Sequence, residues 1–154
     1  MMTNDLSSIQ NFLQISPTLG TAGQPFREQF TLIAAAGYTS VINLALPTSW
    51  DAVPDEAEIV SGLGLAHYHI PVEWEAPTRQ DLIQFFDLMD LLEGQKVFVH
   101  CARNMRVSAF VYLYRVLRQG QSPAACRSDL EKIWQPDEVW AYFIQESLST
   151  GPKE

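Results

Sequence analysis

The chain has 154 residues, 47% of them hydrophobic and 18% charged, with two cysteines and a formal net charge of −8. That length suits one domain with a sizeable core, and so few cysteines exclude a disulfide scaffold. The acidic balance argues against nucleic acid or an anionic membrane as partner, and no apolar run reaches membrane-spanning length. Met1-Met2-Thr3-Asn4-Asp5 offers neither a basic stretch nor an apolar one, so no signal peptide is expected. A reduced, cytoplasmic setting is the matching expectation.

Leu6, Ile9 and Leu13 recur at helical spacing and predict an N-terminal helix or arm within residues 1–13. Leu13-Gln14-Ile15-Ser16 reads as a short edge strand broken by Pro17. Thr21-Ala22-Gly23-Gln24-Pro25 reads as a turn. Phe26, Phe30 and Ile33 mark one face of a helix that Gly37 stops. Thr39 to Leu44 is a strand ending before Pro47. A loop with Trp50 and Asp51 leads to a helix over residues 54–61, opened by Pro54, with Asp55 and Glu56 at the positive end of its dipole. Leu65 to Val72 is the next strand. His67 and His69 share one of its faces; with no third ligand nearby they read as solvated or hydrogen-bonded strand histidines, not a metal site.

After a loop holding Glu73, Trp74 and Glu75, Thr78 caps a helix with an apolar stripe of Leu82, Phe85, Phe86, Met89 and Leu92. Asp81, Gln84, Asp87 and Asp90 face water. Val97-Phe98-Val99-His100 is a buried-strand run, followed by Cys101, a short loop and a helix almost without a polar side from Val107 to Tyr114, hence an interior helix. Ser122-Pro123 opens another helix, with Cys126, Leu130, Ile133 and Trp134 on a core face. Pro136 opens the last, with Trp140, Phe143, Ile144 and Leu148 inward; residues 151–154 are a tail. The alternation predicts an α/β fold over residues 1–154: a three-layer α/β/α sandwich around a small, mostly parallel sheet. The Cys101 loop then lies at the C-terminal end of a strand, where open α/β sheets bind ligands.

The chemistry converges on that loop. Helix N-terminal N–H groups lack partners and sit at the positive end of the dipole. A loop curled above them is a nest for an anion. A cysteine there should lose its proton easily, and an arginine fork can grip two oxygens of a tetrahedral guest. Nucleophile plus oxyanion grip is the minimum kit for phosphoryl transfer through a cysteine. No metal and no cofactor is needed.

His100-Cys101, followed at a short distance by Arg106 and Ser108, resembles the signature of the cysteine-dependent protein tyrosine and dual-specificity phosphatases: His-Cys, five residues, Arg, then Ser or Thr. The order of the Ala-Gly-Gln-Pro turn, the Val-Ile-Asn-Leu strand, the Ile-Pro-Val segment and the His-Cys loop resembles the bacterial DUF442 group, also called beta-lactamase-hydrolase-like phosphatases. The resemblance implies a phosphotyrosine-phosphatase-like fold and a phosphorylated substrate. It implies Cys101 as nucleophile and Arg106 as oxyanion grip. It further implies Ser108 as a hydrogen-bond donor to the departing thiolate, and the loop residues Ala102, Arg103, Asn104, Met105 and Val107 as the substrate cradle. His100 supports the loop.

Three features depart from the pattern. Arg106 comes one residue early, and Val107 fills the family's arginine slot, so either the loop is shortened by one residue or the grip is displaced. Asn104 stands at the family's glycine slot; asparagine tolerates the left-handed conformation that slot needs. The general-acid Asp is also missing, leaving Glu73, with Glu75 as the alternative, beside an apolar wall at Trp74. Arg103 is either a second oxyanion contact or a solvent-facing charge. Three functions remain open. They are a phosphatase working through a phosphocysteine, a non-catalytic phosphate- or phosphoprotein-binding module, and a rhodanese-like sulfurtransferase, whose loop has the same Cys-to-Arg spacing.

Overall fold

The structure is a computed structural model that describes residues 5–151. Among these, strands β1 (Leu13–Ser16), β2 (Leu19–Ala22), β3 (Ser40–Asn43), β4 (Ala66–His69) and β5 (Val97–His100) form one sheet in the order β1-β2-β5-β3-β4. β2, β5, β3 and β4 run parallel, and β1 joins β2 antiparallel. β5 sits centrally, flanked by β2 and β3, with all four residues buried. A strand buried on both faces reads as a continuous apolar run, and Val97-Phe98-Val99 is that run.

Side-chain alternation sorts the sheet into two cores. Val97, Val99 and Cys101 join Ile42, Leu44 and Leu19 on one face, under helices α3 (Arg79–Leu91), α4 (Met105–Leu117), α5 (Pro123–Ile133) and α6 (Glu138–Thr150). Phe98 and Val41 face the other way, toward helices α1 (Phe30–Ala35) and α2 (Glu56–Gly62). The predicted three layers are therefore present. α4 is the interior helix that its sequence requires: Arg106 through Tyr114 are all buried. Its Phe110 packs 5.7 Å from Phe85, 6.0 Å from Trp140 and 5.9 Å from Phe143, ring centre to ring centre. Caps fall where hydroxyls and carboxylates stood in the sequence. The Thr78 hydroxyl accepts from the Asp81 N–H, the Ser122 hydroxyl from Ala125, and the Asp137 carboxylate from Trp140.

Three expectations are corrected. The N-terminal arm forms a single 3-10 turn at Leu6–Ser8 in place of a longer helix, because the chain must reach β1 by Leu13; residues 1–4 lie outside the described part. Part of the expected turn at residues 21–25 is strand: Thr21 and Ala22 close β2, which pairs along its length with β5. Leu148 is 36% exposed, and Ser147 takes the inward position, its hydroxyl donating to the Phe143 carbonyl.

Candidate active site

β5 delivers Cys101 to the end of the central strand, and α4 begins at Met105. The connection is short because Asn104 turns it: its φ of 69° is left-handed, as anticipated for an asparagine at that slot. Asn104 is wholly buried, and its amide donates to the Asn11 carbonyl at 2.8 Å and to Thr21 Oγ1 at 3.1 Å. The N-terminal arm thus clamps the loop from outside.

The loop carbonyls are tied outward, one after another. His100 Nδ1 faces the Cys101 carbonyl at 3.1 Å. The Gln24 N–H donates to the Ala102 carbonyl at 2.9 Å, and Asn11 Nδ2 donates to the Arg103 carbonyl at 2.8 Å. In a trans peptide the next N–H points opposite to the carbonyl. The N–H groups of Ala102 and Arg103 therefore turn away from these partners. Those of Met105, Arg106 and Val107 open α4 with no carbonyl four residues back to receive them.

Cys101, Ala102, Arg103, Met105 and Arg106 line one open depression of about 400 Å³ together with Trp74. It holds two guanidinium groups and no carboxylate. Arg106 is the buried one, 7% exposed; its Nη1 donates to the Val72 carbonyl at 2.9 Å, and its guanidinium lies 5.9 Å from the Trp74 ring centre. Arg103 is exposed. Cys101 is completely buried at the floor.

The other anticipated residues lie elsewhere. The Val107 side chain is wholly in the core, and the Asn104 side chain is committed to Asn11 and Thr21, so neither side chain lines the depression. The Ser108 hydroxyl donates to the Met105 carbonyl at 2.8 Å and accepts from Trp134 Nε1 at 3.1 Å, so in this conformation its proton is not offered to the Cys101 sulfur. Glu73 and Glu75 are exposed on the loop that carries Trp74. That loop is anchored: Trp140 Nε1 donates to the Trp74 carbonyl at 2.8 Å, and the Trp74 ring packs 5.3 Å from Trp134 and 5.8 Å from Trp140.

One residue with a place in the site shows in the sequence only as a helix-dipole charge. Glu56, 4% exposed, receives His100 Nε2 at 2.6 Å and His67 Nε2 at 2.9 Å on Oε2, and Gln24 Nε2 at 3.1 Å on Oε1. Burial alone would push its pKa up. The adjoining imidazoles of His100 and His67 and the Gln24 amide prevail and hold the carboxyl well below the usual carboxylate range. Its partners lie 32, 11 and 44 positions away in Gln24, His67 and His100, so no local spacing announces them. His69, the other strand histidine, donates from Nε2 to the Ala45 carbonyl at 2.6 Å. Both strand histidines are hydrogen-bonded, as expected, and among the described residues no group of three or more His, Cys, Asp or Glu side chains is arranged to hold a metal ion.

No sequence-family model and no curated relative matches the chain. Solved structures do. A DUF442 phosphatase-like protein from Shewanella putrefaciens CN-32 superposes with a TM-score of 0.86 at 34% identity, over 99% of this chain and all of that one. A second crystal structure under the same description gives a TM-score of 0.81 at 37% identity, covering 93% of this chain and 92% of that one. The chain belongs to the DUF442 family. The core catalytic domain of the yeast (S. cerevisiae) PP-IP phosphatase SIW14 shares the fold, with a TM-score of 0.70 at 17% identity over 89% of this chain and 85% of that domain. This DUF442 chain therefore has a phosphatase fold of the protein tyrosine phosphatase type, and its Cys101 loop sits at the end of the central parallel strand. No helix among the described residues is long and apolar enough to cross a membrane.

Proposed function

We propose that this protein hydrolyses phosphoric monoesters through a phosphocysteine on Cys101. The observation that carries the reading is the shared depression: Cys101 and Arg106 line it together, at the N-terminus of α4, where loop carbonyls are tied outward. In this reading Cys101 Sγ attacks phosphorus and the ester P–O bond breaks. The leaving oxygen takes a proton from Glu73, on the loop that Arg106 tethers through Val72. Water then attacks phosphorus, the S–P bond breaks, and the Glu73 carboxylate takes the water proton. Arg106 spends one N–H on Val72 and keeps four for equatorial oxygens. The N–H groups of Ala102, Arg103 and Met105 to Val107 supply the rest of the anion cradle. Ser108 braces the first turn of α4, and Arg103, exposed at the rim, draws the anion in against the acidic body. A phosphorylated substrate is the partner implied; a cytoplasmic setting suits a reduced thiol.

A binding-only module is the second reading, favoured by two observations: the Cys101 residue is completely buried, and the Ser108 proton is already engaged. The test is turnover of p-nitrophenyl phosphate. The phosphatase reading expects phosphate release, its loss in Cys101→Ser, and a fall of about a hundredfold or more in Arg106→Ala. Silence in the wild type, with vanadate still raising the melting temperature, selects the binding module. Thiocyanate formed from thiosulfate and cyanide would instead make it a sulfurtransferase.

A further inference from the structure

We infer that Glu56 is the positioning residue of the Cys101 loop: one buried carboxylate that sets two consecutive loop peptides so that their N–H groups face the anion. The inference rests on the loop being an anion site, as proposed above. The two arms start from its two oxygens. From Oε2, the bond to His100 Nε2 fixes the imidazole so that Nδ1 meets the Cys101 carbonyl. From Oε1, the bond to Gln24 Nε2 fixes Gln24, whose backbone N–H holds the Ala102 carbonyl. Both ring nitrogens of His100 face oxygen atoms, so the ring is pinned from both sides. Glu56 touches neither the depression nor Cys101; its effect passes through two backbone carbonyls.

Loss of the carboxylate frees both peptides to rotate. A carbonyl swung inward repels an anion where an N–H had attracted it. The penalty falls on oxyanion binding and on turnover alike, since both use the same N–H groups. General loosening of α2 is the competing explanation, because Glu56 is the first residue of that helix. Val60, on the same helix and 1% exposed, provides the comparison. Val60→Ala thins the α2 contact with the sheet and leaves every bond of the Glu56 cluster in place.

The experiment measures p-nitrophenyl phosphate kinetics and, separately, orthovanadate affinity by calorimetry in the wild type, Glu56→Gln, Gln24→Met and Val60→Ala. The expected result for Glu56→Gln is about a tenfold or greater loss of kcat and a similar weakening of vanadate. Gln24→Met, which cuts one arm and keeps the carboxylate, is expected to lose several-fold. Val60→Ala is expected to lower the melting temperature with both readouts within about twofold of the wild type. Wild-type vanadate affinity in folded Glu56→Gln overturns the inference, as does Val60→Ala reproducing its loss. If Glu56→Gln does not fold, Gln24→Met decides: unchanged vanadate affinity there also overturns it. A wild type that binds vanadate and turns over nothing defeats the phosphatase reading alone, and the vanadate comparison still stands.

Discussion

Gly23 shows how tightly single residues are drawn into the loop. A Cβ there would sit 2.6 Å from the Ala102 carbonyl oxygen and 3.1 Å from the Arg103 Cα, so the obstacle is the loop backbone itself. Gly23→Ala must push the loop off the Gln24 N–H that holds it. We expect a stability loss of about 1–3 kcal/mol by chemical denaturation and a fall in kcat/KM for aryl phosphate larger than the stability loss accounts for. Asn104 offers a separable case. Asn104→Gly keeps the left-handed turn at φ 69° and removes two amide hydrogen bonds, one to Asn11 in the arm and one to Thr21 in β2, whereas Asn104→Ala removes them and strains the backbone as well. Glycine is therefore expected to cost about 1–2 kcal/mol and alanine about 1 kcal/mol more. Equal losses for the two, in the same denaturation measurement, would show that the turn conformation is not what asparagine provides.

At the scale of elements, α4 carries both the site and the core. Its N-terminus opens onto the depression, while Phe110 joins α3 to α6 through Phe85, Trp140 and Phe143. Phe110→Ala should cost about 3–5 kcal/mol in urea denaturation, because the surrounding rings cannot collapse onto the void. α4 was also the most legible element, since an apolar run without a polar side has only an interior to occupy. β2 was not. Leu19-Gly20-Thr21-Ala22 lacks the β-branched density of a central strand, and its last two residues read as part of a turn with Gly23 and Pro25. Its strand identity comes from neighbours: it pairs with β5, and Gly20 is small because a Cβ would meet the Tyr38 hydroxyl at 2.5 Å. The site divides along the same line. Cys101, Arg106 and the Asn104 turn are contiguous, and a motif can show them. Asn11, Gln24, Glu56 and Trp134 reach the loop only through the fold, so a single sequence offers no spacing by which to find them.

The molecule as a whole carries −8, yet the depression is lined by Arg103 and Arg106. In the phosphatase reading an anion is drawn in locally against a repelling body, and the acidic groups that make this field also set how the fold responds to pH. Glu56 is the decisive one. Burial works against its charge, but His100, His67 and Gln24 hold its folded-state pKa far below the ordinary 4.5. A carboxylate with a depressed folded pKa binds protons more readily when the chain is unfolded. Its contribution is thus present above about pH 4.5 and drains away as the pH falls toward the lower, folded value. Asp129, also buried in part, is held down by Arg115 and Lys132 and adds to the same acid limb. Wild-type melting temperature should therefore be flat near neutrality and fall steeply below pH 4.5. Glu56→Gln should melt lower at pH 7 and show a shallower decline, so that the two curves converge in acid. Parallel curves from pH 7 to pH 3 would mean that Glu56 is as easily protonated folded as unfolded. The two histidines and the glutamine around it would then not be holding a charge.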